Sequence, residues 1–169
     1  MSDIVKIIKS MTDYNGSDGR TDKEIIAAEK ELGVSFAEEY RKYLKEIGLA
    51  CFDGRELTGL TETKRLNVVL VTKEQKAYLD IAEPWYVVEE ANIDGIVIWQ
   101  DSEGTIYQTA PNAETLIMAK SLSEYLAGEE EESQPQAPVP KTDSTVEQTK
   151  RQDSKASCPL KSFFSFFKK

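Results

Sequence analysis

The chain has 169 residues, sets 21 Lys and Arg against 30 Asp and Glu for a formal net charge of -9, and contains no histidine. The missing imidazole excludes Ser-His-Asp and Cys-His nucleophile systems and histidine-bearing zinc sites, and two cysteines are too few for a Cys-only zinc site or a disulfide framework. The acidic balance argues against direct nucleic-acid binding, which needs Lys and Arg to displace counterions from phosphate.

In chain order, Ile4, Ile8 and Met11 recur at helical spacing and predict a short helix over about Asp3 to Met11. A polar loop, Asp13 to Arg20, follows. From Asp13 to Glu24, oxygen-bearing side chains fall at relative positions 1, 3, 5 and 9 with Glu at 12, the outline of a calcium loop. Asp18 stands where the sharp-turn glycine belongs, so a surface turn is the better reading and no metal site is expected. Thr21-Asp22-Lys23-Glu24 has the form of a capping box opening a helix to Leu32, with Ile25, Ala28 and Leu32 inward and Gly33 as its left-handed stop. Ser35-Phe36-Ala37-Glu38 has the same form. The helix it would open puts Phe36, Tyr40, Tyr43, Leu44 and Ile47 on one face and ends at Gly48.

Beyond Gly48 the pattern shifts to period two and β-branched residues. It predicts strands over Leu49 to Phe52, Arg55 to Leu60, Leu66 to Val71, Trp85 to Glu90, Gly95 to Gln100 and Thr105 to Thr109, with a short helix over Lys73 to Ile81. Asp53-Gly54 and Asp101-Ser102-Glu103-Gly104 read as turns. Ser121-Leu122-Ser123-Glu124 is a third capping box, opening a helix that packs Leu122, Tyr125 and Leu126. The expected fold is α+β over residues 1–128: N-terminal helices, a largely antiparallel meandering sheet and a closing helix.

Composition changes after Gly128. Residues 129–157 run through Glu, Pro, Gln, Ser and Lys with only Val139 and Val146 as large apolar side chains, which predicts a disordered linker. Residues 1–128 hold 14 basic and 23 acidic side chains and so carry the whole net charge. The final segment, 158–169, sets Phe163, Phe164, Phe166 and Phe167 ahead of Lys168 and Lys169. That composition suits weak peripheral membrane contact, docking into a partner protein, or an aggregation-prone end restrained by lysines. With no apolar signal-peptide core in Met1-Ser2-Asp3-Ile4 and no membrane-spanning run, the expected location is cytoplasmic, with the tail peripheral to the inner face of a membrane and the cysteines reduced.

The chemistry-bearing residues are few. Cys51 lies in an apolar strand and reads as a small buried hydrophobe. Adjacent carboxylates such as Glu89-Glu90 offer acid/base chemistry, but such pairs arise by chance in a chain with 30 acids. There is no glycine-rich phosphate loop, so no cofactor is expected and the chain reads as a binder, not an enzyme. Trp99 alternates with Val97 against Ile96 and Ile98, and either fills a core or lines a recognition groove. Glu89, Glu90, Asp94, Asp101 and Glu103 flank it in sequence, and with Trp99 they form the candidate partner-binding set.

The run Ile25-Ile26-Ala27-Ala28-Glu29-Lys30-Glu31-Leu32-Gly33, then Phe36, then Tyr40-Arg41-Lys42-Tyr43-Leu44 and Gly48, resembles the N-terminal signature of the SUKH superfamily. Gly95-Ile96-Val97-Ile98-Trp99, Gly104-Thr105-Ile106-Tyr107 and Ala119-Lys120-Ser121-Leu122-Ser123-Glu124-Tyr125-Leu126 resemble its later strands and closing helix, so the likeness spans about residues 20 to 128 in order. Ser35-Phe36 replaces the family's usual Leu-Pro, and Leu122 its usual Phe. The resemblance implies a non-catalytic domain. Bacterial members are largely immunity proteins that bind polymorphic toxins, many of them nucleases, and fungal relatives regulate cell-wall synthesis. The expected function is thus an immunity protein neutralising a cognate toxin; the alternative is a regulatory adaptor tethered by its tail. An acidic domain would complement a basic toxin surface and speed encounter.

Overall fold

The computed structural model describes residues 3–91 and 93–128, so the linker and the aromatic tail expected beyond Gly128, with Phe163, Phe164, Phe166, Phe167, Lys168 and Lys169, lie outside the described residues. Helix α1 (Ile4–Ser10) buries Ile4, Val5 and Ile8. Helix α2 (Asp22–Leu32) opens on the capping box its sequence announces: the Glu24 N–H donates to Thr21 Oγ1 at 3.3 Å and the Thr21 N–H donates to the Glu24 carboxylate at 2.8 Å. It stops at Gly33, which is left-handed at φ 68°.

Helix α3 (Glu38–Glu46) starts at Ala37 without a side-chain cap, so the box read at Ser35 does not form. A carboxylate seven residues upstream takes its place. Glu29, only 7% exposed, accepts the Phe36 N–H at 2.6 Å and the Arg41 Nε–H at 2.9 Å, tying the turn and the first helical turn of α3 back onto α2. Gly48 ends this unit at φ 78°, where an added Cβ would stand 2.3 Å from the Asp18 carbonyl oxygen. Neither the backbone angle nor the space admits another residue there.

The sheet is a seven-stranded antiparallel meander whose spatial order equals its chain order. Its strands are β1 (Asn15–Gly16), β2 (Ala50–Phe52), β3 (Arg55–Leu57), β4 (Tyr86–Glu90), β5 (Val97–Gln100), β6 (Ile106–Thr109) and β7 (Leu116–Ala119). Between β2 and β3, Asp53 (φ 49°) and Gly54 (φ 76°) form the two-residue turn with both central angles positive, which matches the twist of the paired strands. The short β1 and the edge strand β7 are not among the strands the sequence pattern predicts.

The span Leu66 to Val71 is not the strand its branched side chains predict. A 3-10 turn (Lys64–Leu66) leads into α4 (Val68–Leu79), which absorbs the shorter helix expected from Lys73. Asn67 makes the difference: its Oδ1 accepts the Val69 and Leu70 N–H groups at 3.0 and 3.3 Å, a helix N-cap. Its Nδ2 also donates to the Thr61 carbonyl at 2.6 Å. Val68, Val69, Val71 and Thr72 are then all buried. Closing helix α5 (Leu122–Gly128) begins as expected at Ser121, whose Oγ accepts the Glu124 N–H at 3.1 Å, although the Glu124 carboxylate reaches back to the Lys120 N–H instead of closing the box on Ser121.

The main core lies between one sheet face and the helices: Tyr86, Val88, Ile98, Ile106 and Leu57 from the strands meet Ile4, Ile8, Tyr40, Tyr43, Leu44, Leu122 and Leu126. Polar groups inside it are paired. The Tyr40 and Tyr43 hydroxyls donate to the Thr58 carbonyl at 2.9 and 3.1 Å. The Ala37 N–H donates to the Tyr86 hydroxyl at 2.9 Å, that hydroxyl donates to Gln100 Oε1 at 2.8 Å, and Gln100 Nε2 donates to the Gly104 carbonyl at 2.9 Å. Burial pushes the Tyr86 and Tyr43 phenols well above their ordinary pKa, so they serve as neutral donors. A second cluster of Val71, Val87, Val97 and Trp99 occupies the opposite sheet face. Cys51 is buried in β2, as expected.

Candidate functional site

The residues singled out from sequence do not form one surface. Trp99 is fully buried in the second cluster, with its Nε1–H donating to Thr109 Oγ1 at 2.8 Å, so it is a core residue and lines no groove. Glu89 is 5% exposed: the register shift in β4 turns it to the helix side, where it accepts Arg55 Nε–H at 3.0 Å and the Tyr125 hydroxyl at 3.3 Å. Its charge is spent internally. Glu90 is half-buried and its carboxyl is raised above the ordinary range by burial, against the opposing hydrogen bond from Gln75.

The remaining acids sit at opposite ends of β5. Asp94 belongs to the turn before Val97, and Asp101 and Glu103 to the turn after Gln100. Four strand residues at about 3.3 Å each put roughly 13 Å between those ends. Asp101 is also engaged, accepting the Glu103 and Thr105 N–H groups at 3.0 and 2.9 Å and the Tyr107 hydroxyl at 2.9 Å. Only Asp94 and Glu103 of the set are exposed. Near Asp101 the structure offers instead a half-buried pair, Trp85 stacked on Tyr107 with ring centroids 4.2 Å apart. The sequence signal for it was present in Trp85, the first residue of a predicted strand.

A further opening lies between α2 and α4. It is a groove of about 500 Å³ whose apolar lining includes Ala28, Val69, Leu60 and Leu70. Ala28 and Val69 are buried, whereas Leu70 is 43% exposed. Glu24 and Glu31 stand on the α2 lip and Glu62 on the connecting loop, all three exposed. Arg20 holds one end, its Nε–H donating to the Leu60 carbonyl at 2.7 Å. Lys73 of α4 reaches Glu31 of α2 at 2.6 Å and bridges the two helices. An apolar floor under carboxylates fits a side chain with an aliphatic stem and a cationic head, the shape of Lys or Arg.

Glu24 is engaged in the capping box, and hydrogen bonds from Thr21 hold its carboxyl below the ordinary range. Among the described residues no group of three or more acids or cysteines stands close enough to hold a metal ion, and no helix is long and apolar enough to cross a membrane.

Helices packed against an antiparallel meander, with α4 reaching the clusters on both sheet faces, and an open acid-lipped groove define a small α+β domain. The chain belongs to the SUKH family: residues 1–131 match the family model SUKH_5, described as SMI1-KNR4 cell-wall. No curated protein matches the chain.

Proposed function

We propose that this protein is a non-catalytic immunity protein that neutralises a cognate toxin domain by binding it, and that the α2/α4 groove receives a basic side chain of that toxin. The observation that carries this reading is the groove itself, with apolar floor and three exposed carboxylates, on a domain holding 23 acidic and 14 basic side chains. Family membership supports a role in immunity or regulation. A nuclease toxin must be basic where it grips phosphate, and an acidic partner meets such a surface quickly through long-range attraction. The test is binding to a candidate toxin domain, sought among the products of neighbouring genes. A one-to-one complex is expected, with loss of toxicity on co-expression. An association rate unchanged by Glu62→Lys and a dissociation rate unchanged by Leu70→Glu would remove the groove from the interface; no complex at all would remove the immunity reading.

The family description names the cell wall and thereby favours a second reading, a regulatory adaptor in cell-wall synthesis. Under it, deleting the gene alters sensitivity to wall-active agents and gives no protection phenotype against any toxin.

A further inference from the structure

Strand β7 ends the sheet. It pairs with β6 on one side, and among the described residues no strand lies on its other side. Its side chains are apolar and open: Leu116 is 52% exposed, Ile117 71% and Met118 45%. Edge strands are commonly protected by a charge or proline within the strand, and Leu116-Ile117-Met118-Ala119 contains neither. The charges stand just outside it, Glu114 before and Lys120 after, both exposed.

We propose that β7 pairs with β7 of a second copy of this chain, antiparallel about a two-fold axis at Ile117. That register sets Ile117 against itself, Leu116 against Met118, and Glu114 of each copy opposite Lys120 of the other. It is the one antiparallel register that aligns opposite charges at both ends. The segment from Glu114 to Lys120 is thus its own complement, as an interface with two-fold symmetry requires. Ile117 lies beside Tyr107 in the register, so the pairing extends the apolar strip already made by the Trp85–Tyr107 stack. The contact is smaller than the roughly 800 Å² per partner of a standard interface, so the dimer is reversible and concentration-dependent. The surface is separate from the α2/α4 groove and leaves it free.

Sedimentation velocity on the full chain at about 1 to 200 µM reads this directly. The average mass rises from 19.0 kDa toward twice that value. Glu114→Lys and Lys120→Glu, each on an exposed side chain, weaken the dimer by about tenfold because two exposed ion pairs become repulsive. Mixing the two single variants, or combining both changes in one chain, restores it. A monomer at every concentration, or a dimer indifferent to the charge exchange, overturns the proposal; the second outcome would place the contact elsewhere, and the first would leave β7 to another occupant.

Discussion

Removing the Glu29 carboxylate strands two donors at once, the Phe36 N–H and the Arg41 guanidinium. Phe36 is 3% exposed, so water cannot readily replace the lost acceptor there. Glu29→Ala should lower stability by about 2–3 kcal/mol, the cost of a buried unsatisfied donor and a lost charged hydrogen bond. Glu29→Gln keeps an acceptor for Phe36 and should cost about half as much; equal urea midpoints for the two variants would show that packing, not the hydrogen bond, matters. Asp3 supplies a pH handle. The Lys42 ammonium, 2.9 Å away, holds its carboxyl below the usual range and joins the start of α1 to α3. The folded state therefore binds this proton less readily than the unfolded chain. The contribution is complete above the unfolded carboxyl value near pH 4 and disappears as pH falls through the lower folded value. Lys42→Met should flatten that acid limb in thermal melts between about pH 5 and pH 2 while leaving the curve above pH 6 parallel to the parent.

The elements legible in the sequence are those set by their own local chemistry. Thr21 with Glu24, Gly33, Asp53-Gly54 and Ser121 each fix a boundary through contacts within a few residues, and each boundary is where its pattern puts it. The start of α3 was illegible because its fastening comes from Glu29, on another helix. The sequence points away from helix α4 because Val68, Val69, Leu70 and Val71 favour a strand intrinsically, while one asparagine before them and tertiary burial favour a helix. Asn67→Ala should cost about 1 kcal/mol for the cap, and the loss of the Thr61 contact adds to it. A denaturation midpoint unmoved by that change would mean burial alone sets the helix. The groove was invisible for the same reason: its far wall is α4. Its near wall was readable, since Glu24, Ala27, Ala28 and Glu31 follow helical spacing. Acids adjacent to Trp99 in sequence did not make one site because an antiparallel strand sends its two flanks to opposite ends.

At the scale of the molecule, charge and topology have separate consequences. Complex formation with a basic partner should slow several-fold between low and high salt, with dissociation nearly unchanged. Stopped-flow association at two ionic strengths checks this, and a salt-independent rate would argue against steering. The buried relay from Ala37 through Tyr86 and Gln100 to Gly104 acts in the folded state whatever the partner. Amides at a helix start have no acceptor within the helix and are ordinarily the first to trade protons with solvent. Here the Ala37 amide is held by a phenol rooted in the middle of the sheet, so it opens only when helix and sheet part. In deuterium its signal should outlast those of the next three amides of α3 and decay at the rate of the central strands, so that the terminus of this helix reports on the sheet.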